Sequence, residues 1–159
     1  DSTIISIEAS PVIPGVLQGD GPIIRTGDAL TTFDSTAEIV LSEAAKNLQK
    51  EDTSFLFQRH LMKGGTCEAT AFAQEGYKVT GIALPLSNWH NATSDLRDPK
   101  GDIGPEQISK SDYVNAIKLI KRATTIKNHE NIEIPSKLPD VSHQIIKRLT
   151  NSVDTNSRI

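Results

Sequence analysis

Residues 55–91 read FLFQRHLMKGGTCEATAFAQEGYKVTGIALPLSNWHN, and the fold turns on this stretch. Phe55 to Leu61 is a short run of aromatic and aliphatic residues, of strand length. Gly64 and Gly65 interrupt it and permit a tight turn. Thr66 is placed to cap a helix. Ala69, Phe72, Ala73 and Gly76 then recur at the spacing of one helical face, and Gly76 suits the helix C-terminus. Val79 to Leu86 is almost wholly apolar, as expected of a strand buried on both faces. The chain leaves that strand through Ser87, Asn88 and Trp89 to His90. Strand, helix and strand predict a βαβ unit with a parallel pair and a right-handed crossover. Ligands in open α/β sheets bind beyond the carboxyl ends of the strands. GGTCEA and SNWHN each follow a strand, so both are expected at such a position, with His90 facing the chemistry.

Upstream, Thr3 to Ala9 is β-rich, and Ile4, Ile5 and Ile7 predict a buried strand that ends at Glu8. A carboxylate buried without a partner is costly. Two readings therefore stand for Glu8: a solvated strand-end carboxylate, or a metal ligand at the carboxyl end of its strand. Pro11 to Gly21 is punctuated by proline and glycine and reads as a loop. Gly21 to Gly27, GPIIRTG, predicts a short strand with Pro22 at its start or on an edge. Ser35-Thr36-Ala37-Glu38 has the form of a capping box. Leu41, Ala44, Ala45 and Leu48 give the helix that follows its buried face, with Lys46 and Lys50 suited to its C-terminal half. Asp28 and Asp34 read as turn and cap residues, and His60 as structural.

Downstream, residues 91–105 are rich in turn formers and read as a loop. Ser109 or Ser111 is placed to cap another helix, with Tyr113, Ala116, Ile117 and Ile120 on its inner face. From Lys127 onward the chain is polar. Val141, Ile145 and Leu149 are spaced for a short amphipathic helix, and His129 and His143 read as surface residues.

With 159 residues, the chain has the length of one domain with a single core. Seventeen Lys and Arg against twenty Asp and Glu leave a formal charge of −3, so there is no basic footprint for nucleic acid. No run approaches the roughly 20 apolar residues of a membrane span, and no signal peptide is visible. A single cysteine, Cys67, excludes an internal disulfide and fits a reducing, cytoplasmic setting.

Two segments resemble a known family. GGTCEATAF, a strand and then WHN resemble the glycine-glycine-threonine-acidic-alanine, strand, hydrophobic-histidine pattern of the dinuclear zinc aminopeptidases of the glutamyl-aminopeptidase and tetrahedral-aminopeptidase type. GPIIRTGDALTTFD, from Gly21 to Asp34, resembles that family's GPxIRxGD…FD stretch. The resemblance spans Ile4 to Ile126. It implies a three-layer α/β sandwich with a mixed, mainly parallel sheet, incomplete in this chain. Residues 1–126 would form the C-terminal part of a catalytic domain, and 127–159 a polar tail. It implies two divalent ions, zinc first with cobalt or manganese as alternatives, and assigns Glu8 to one ion and His90 to the other. Asp is the commoner residue at the place of Glu8. Cys67 and Glu68 stand where the family carries Asp-Ala. The family's Asp supports the active-site loop, formed here by Gly64, Gly65 and Thr66. Glu68 is a candidate substitute, while Cys67 reads equally as a small buried apolar residue. The Asp28 to Asp34 loop would neighbour the site.

The general base and remaining ligands are expected upstream of Asp1, which makes the isolated chain inactive and the missing N-terminal part its first partner. The complete protein would be a homo-oligomer that takes peptide substrates, with no nucleic acid or membrane partner. A same-clan deacylase or carboxypeptidase, a non-catalytic assembly protein derived from the family, and an unrelated α/β binding module are the competing readings.

Overall fold

A computed structural model describes residues 2–94, 98–126 and 147. The expected tail helix, with His129 and His143, lies outside the described residues. In chain order the elements are β1 (Thr3–Pro11), β2 (Ile23–Gly27), α1 (Ser35–Glu51), β3 (Gln58–Leu61), α2 (Glu68–Gln74), β4 (Lys78–Ser87), a single 3-10 turn (Trp89–Asn91), β5 (Gln107–Ile108) and α3 (Lys110–Ala123). The strands form one mixed sheet in the order β1-β4-β2-β3, with β5 added to the end of β4. Most of its paired length is parallel: β1 runs beside β4 from Thr3↔Lys78 to Pro11↔Leu86, and β2 beside β3. The shorter pairings of β2 and β5 with β4 are antiparallel.

Strand alternation sorts the side chains into two faces. On one, Ile24, Ile82 and the partly covered Ile5 and Leu84 meet Val40, Leu41, Ala44, Ala45 and Leu48 of α1 and Ala116, Leu119 and Ala123 of α3. On the other, Val79 and Ile4 meet Ala69 of α2 and Phe33, while Ile23 and Ala83 meet Val16 and Met62. The result is three layers, with α1 and α3 on one side of the sheet and α2 with its flanking loops on the other. Each fully buried Leu or Ile contributes roughly 1.5–3 kcal/mol, so the α1–α3 side supplies most of the hydrophobic stabilisation. No helix among the described residues is long and apolar enough to cross a membrane.

Several sequence expectations are corrected. The strands of residues 55–91 share a sheet but do not pair: β2 lies between β3 and β4 and runs antiparallel to β4. No parallel βαβ pair forms there; the parallel partner of β4 is β1. Burial gives the reason. β2 is covered on both faces, whereas β3 alternates half-buried and exposed residues, the pattern of a sheet edge. Only Gln58–Leu61 of the Phe55–Leu61 run is strand; Phe55 instead sits fully buried in the main core. β1 continues past Glu8 to Pro11.

The helix ends also differ from expectation. Asp34, not Ser35, caps α1, its carboxylate accepting from Ala37 N at 2.8 Å. Glu38 does not close a capping box but takes a two-pronged ion pair from Arg59 and a hydrogen bond from Ser42 Oγ. Cys67, not Thr66, holds the N-cap position of α2, without a side-chain cap bond. The buried face of α3 carries Asp112, Asn115, Ala116, Leu119 and Ala123, leaving Tyr113 and Ile117 exposed. The Asp112 carboxylate accounts for that rotation: it accepts from Gly19 N and Gly21 N, each at 2.8 Å, and so ties α3 to the loop before β2. Phe72 of α2 is likewise exposed.

Candidate functional site

The α2 side of the sheet carries a cavity of about 190 Å3 lined by Glu8, Ser10, Arg25, Gly64, Thr66 and His90, among others. Glu8 and Ser10 share the face of Ile4 on β1, and Arg25 shares the face of Ile23 on β2. Between them runs β4, whose residues here are Gly81, paired with Ser6 and Arg25, and Ala83, paired with Glu8 and Ile23. A small-residue floor results. The Arg25 side chain lies over Gly81, where a Cβ would stand 3.4 Å from its Cδ. From there Arg25 Nη1 reaches the Glu8 carboxylate as an ion pair. The Arg25 side chain is 3% exposed, and its guanidinium carbon stands 5.8 Å from the centre of the Phe33 ring.

The glycine loop forms a second wall. It follows β3 and SNWHN follows β4, and because these strands run in opposite directions their carboxyl ends lie at opposite ends of the sheet. The loop reaches His90 by folding back over the face. Met62 packs on Ile23 and Ala83, and Gly64 stands beside Pro11. The chain then returns to the end of β2, where Ala29 N donates to Gly65 O at 3.0 Å.

Asp28 fastens that return. One of its oxygens accepts from Leu30 N and Thr31 N, the other from Cys67 N at 3.1 Å and from the Thr70 hydroxyl. Burial pushes the Asp28 carboxyl up, but the hydrogen bonds from Thr70, Leu30, Cys67 and Thr31 together outweigh it and hold the group below its ordinary value. Asp28 thus supplies a carboxylate to the loop from 39 residues upstream of Cys67. Glu68 and Cys67 do not line the cavity: Glu68 is exposed at the start of α2, and Cys67 packs against Phe33, Ala69 and Val79.

His90 enters from the third side. Asn88, His90 and Asn91 all have positive φ, at 51°, 58° and 61°, a left-handed conformation that side chains other than glycine adopt at a cost. Residues 104–106 hold it in place. Glu106 Oε1 accepts from His90 N at 2.9 Å, Asn88 Nδ2 donates to Pro105 O at 2.8 Å, and Gly104 N donates to Asn91 O at 2.9 Å. The Trp89 and His90 rings meet edge-on, 4.0 Å between centres.

Carboxylate oxygen and imidazole nitrogen are the donors zinc accepts, and Glu8 and His90 line one cavity. They are two donors where a catalytic site needs at least three protein ligands. Among the described residues no group of three or more His, Cys, Asp or Glu converges for a metal. The cavity therefore offers, among the described residues, two candidate donors and no complete metal site. Arg25 and Met62 line the cavity without having been singled out in the sequence, and Asp28, expected beside the site as a turn residue, proves to be the group that fastens its loop. For Arg25 the available signal was a charged residue directly after the apolar Pro22–Ile24, within the strand predicted for Gly21 to Gly27.

No protein-family profile matches the chain, and no curated protein sequence does. Solved structures share its fold. PhTET1-12s, described as a dodecamer, aligns with a TM-score of 0.59 at 20% identity, over 77% of this chain and 33% of its own. A TET aminopeptidase from the marine sediment archaeon Thaumarchaeota archaeon SCGC AB-539-E09 aligns at 0.54 and 19%, over 76% of this chain and 31% of its own. The aminopeptidase APDkam598 of Desulfurococcus kamchatkensis aligns at 0.57 and 20%, over 84% and 37%. The chain spans about a third of the length of these structures.

Proposed function

We propose that this chain forms part of a metal-dependent aminopeptidase that hydrolyses N-terminal residues from peptides. The observation that carries this reading is the cavity itself: Glu8, His90 and the glycine loop come from three separate segments and line one recess. Structures of the same fold that are described as aminopeptidases support it. Glu8 and His90 would each hold one of two divalent ions, zinc first. Such ions supply an activated water and clamp the attacking and leaving groups of a hydrolysis. In this chain, Glu106 and the Asn88–Asn91 turn fix the backbone from which His90 reaches the cavity. Asp28 fixes the glycine loop that forms the opposite wall. The remaining donors and the general base lie outside the described residues. The complete protein is proposed to be a homo-oligomer, as PhTET1-12s is described to be.

The test uses the complete protein in which this chain occurs. His90→Ala and Glu8→Ala should each lower zinc content and cut turnover of an aminoacyl substrate by orders of magnitude, with the fold retained by circular dichroism. Assay against N-acyl amino acids in parallel separates an aminopeptidase from a deacylase. Unchanged zinc content and turnover in either variant rejects the ligand role of that residue.

A further inference from the structure

We propose that the backbone of Gly64, Gly65 and Thr66 is the edge on which the main chain of a peptide substrate lies, its amides donating to a substrate carbonyl; this rests on the aminopeptidase reading above and needs no metal ligand from this chain. The first observation is that the two glycines have no reason of their own in the fold. The chain has ten glycines. Gly15, Gly19, Gly21 and Gly76 have positive φ, which glycine adopts without steric cost. At Gly27, Gly81, Gly101 and Gly104 an added Cβ would press on a neighbouring atom 3.4 Å away or nearer. Gly64 and Gly65 remain, and neither has positive φ. A Cβ on Gly64 would make an ordinary contact of 3.6 Å with Pro11, and one on Gly65 would meet nothing within 4 Å. Both line the cavity. Glycine also serves where a ligand approaches the backbone closely, and that is the use left for these two.

The second observation is that the loop keeps its donors open. Gly65 O accepts from Ala29 N at 3.0 Å, and Cys67 N donates to Asp28. The amides of Gly64, Gly65 and Thr66 have no protein acceptor among the described residues, and all three residues are exposed. A trans peptide turns its N–H opposite to its C=O, so the Thr66 N–H points away from Ala29. Third, another wall of the same cavity also holds a donor without an acceptor. Arg25 lines it with a side chain 3% exposed. Its Nε makes no hydrogen bond among the described residues, and its Nη1 has only the ion pair with Glu8. Glu8 balances the charge of Arg25, so the acceptor that suits this recess is a neutral carbonyl oxygen rather than a free anion. A peptide main chain presents one at every residue.

The test uses the complete protein in which this chain occurs, with trialanine and trileucine as substrates. Gly64→Ala and Gly65→Ala are compared with the parent by urea unfolding midpoint and by KM and kcat. Alanine fits both positions in the fold, so the midpoints should equal the parent's or rise slightly. A methyl group between loop and peptide should cost about one hydrogen bond, a rise in KM of roughly 3–10-fold with kcat little changed. An unchanged KM in both variants refutes the proposal and leaves the aminopeptidase reading standing, whether or not kcat falls. A lowered midpoint in both would show that the glycines serve the fold, and refutes it as well. A parent that cleaves neither peptide overturns the aminopeptidase reading and the proposal with it.

Discussion

Asp28→Asn probes how the glycine loop is held. The Asp28 carboxylate serves two backbone donors on one oxygen and Cys67 N with the Thr70 hydroxyl on the other. An amide can offer oxygen to only one of these pairs, and its NH2 must face the other. The Thr70 hydroxyl can rotate and accept. A backbone N–H cannot, so at least one partly buried donor is orphaned whichever way the amide turns. An orphaned donor costs about 1–3 kcal/mol, and hydrogen bonds to a charged acceptor are worth about 1.5–3 kcal/mol each. Allowing for the bonds that survive, the net loss should be about 2–4 kcal/mol.

The pH dependence carries a sign. Asp28 is held below its ordinary value of 3.8 in the fold, so its contribution is complete above that value and is lost as pH falls through the lowered one. Urea melts of parent and variant should differ most at neutral pH and converge as the medium becomes more acidic than pH 3.8. Hydrogen exchange at Cys67 N should accelerate in the variant, while Ala37 N, capped by Asp34, keeps its protection. Equal stability at neutral pH would refute the account, as would a difference that persists unchanged in acid.

Two glycines with similar backbones should respond in opposite degree. Gly21→Ala would drive a Cβ to 2.0 Å from Leu56 O and should abolish soluble expression. Gly19→Ala, with φ of 99° but nothing within 4 Å, should cost only the left-handed penalty, about 1–2 kcal/mol, read as a modest fall in the unfolding midpoint. Glu106→Ala removes the acceptor of His90 N. It should speed exchange of the His90 amide and weaken zinc binding with little change in global stability; an unchanged exchange rate would show that the turn holds itself.

Periodicity made α1 and β4 legible, because each follows its repeat closely: Leu41, Ala44, Ala45 and Leu48 are all buried, and β4 is covered on both faces. The Gly64–Gly65 turn and the exit to His90 were legible for the same reason, since both are local. Strand order was not. Nothing in the composition of Gln58–Leu61 states that Ile23–Gly27 will separate it from β4; that is decided by which strand can be covered on both faces. The tilt of α3 was hidden for a related reason. Asp112 is buried because Gly19 N and Gly21 N await it about 90 residues upstream, and a rule that turns charges outward exposes Tyr113 only after the fact. Arg25 escaped notice because an arginine in a strand is read as facing water until its neighbour Glu8 is seen across Gly81.

The first strand of the sheet has a further consequence. Among the described residues β1 pairs on one side only, with β4, and Ile7 is 57% exposed. A long open edge with an uncovered isoleucine is a template for another extended backbone. Produced alone, the chain would tend to stick to itself edge to edge, and its colloidal behaviour would report on this strand rather than on the cavity. A lysine in place of Ile7 would discourage such pairing without touching the face that carries Glu8, and so provides a handle for keeping the chain dispersed while its chemistry is studied.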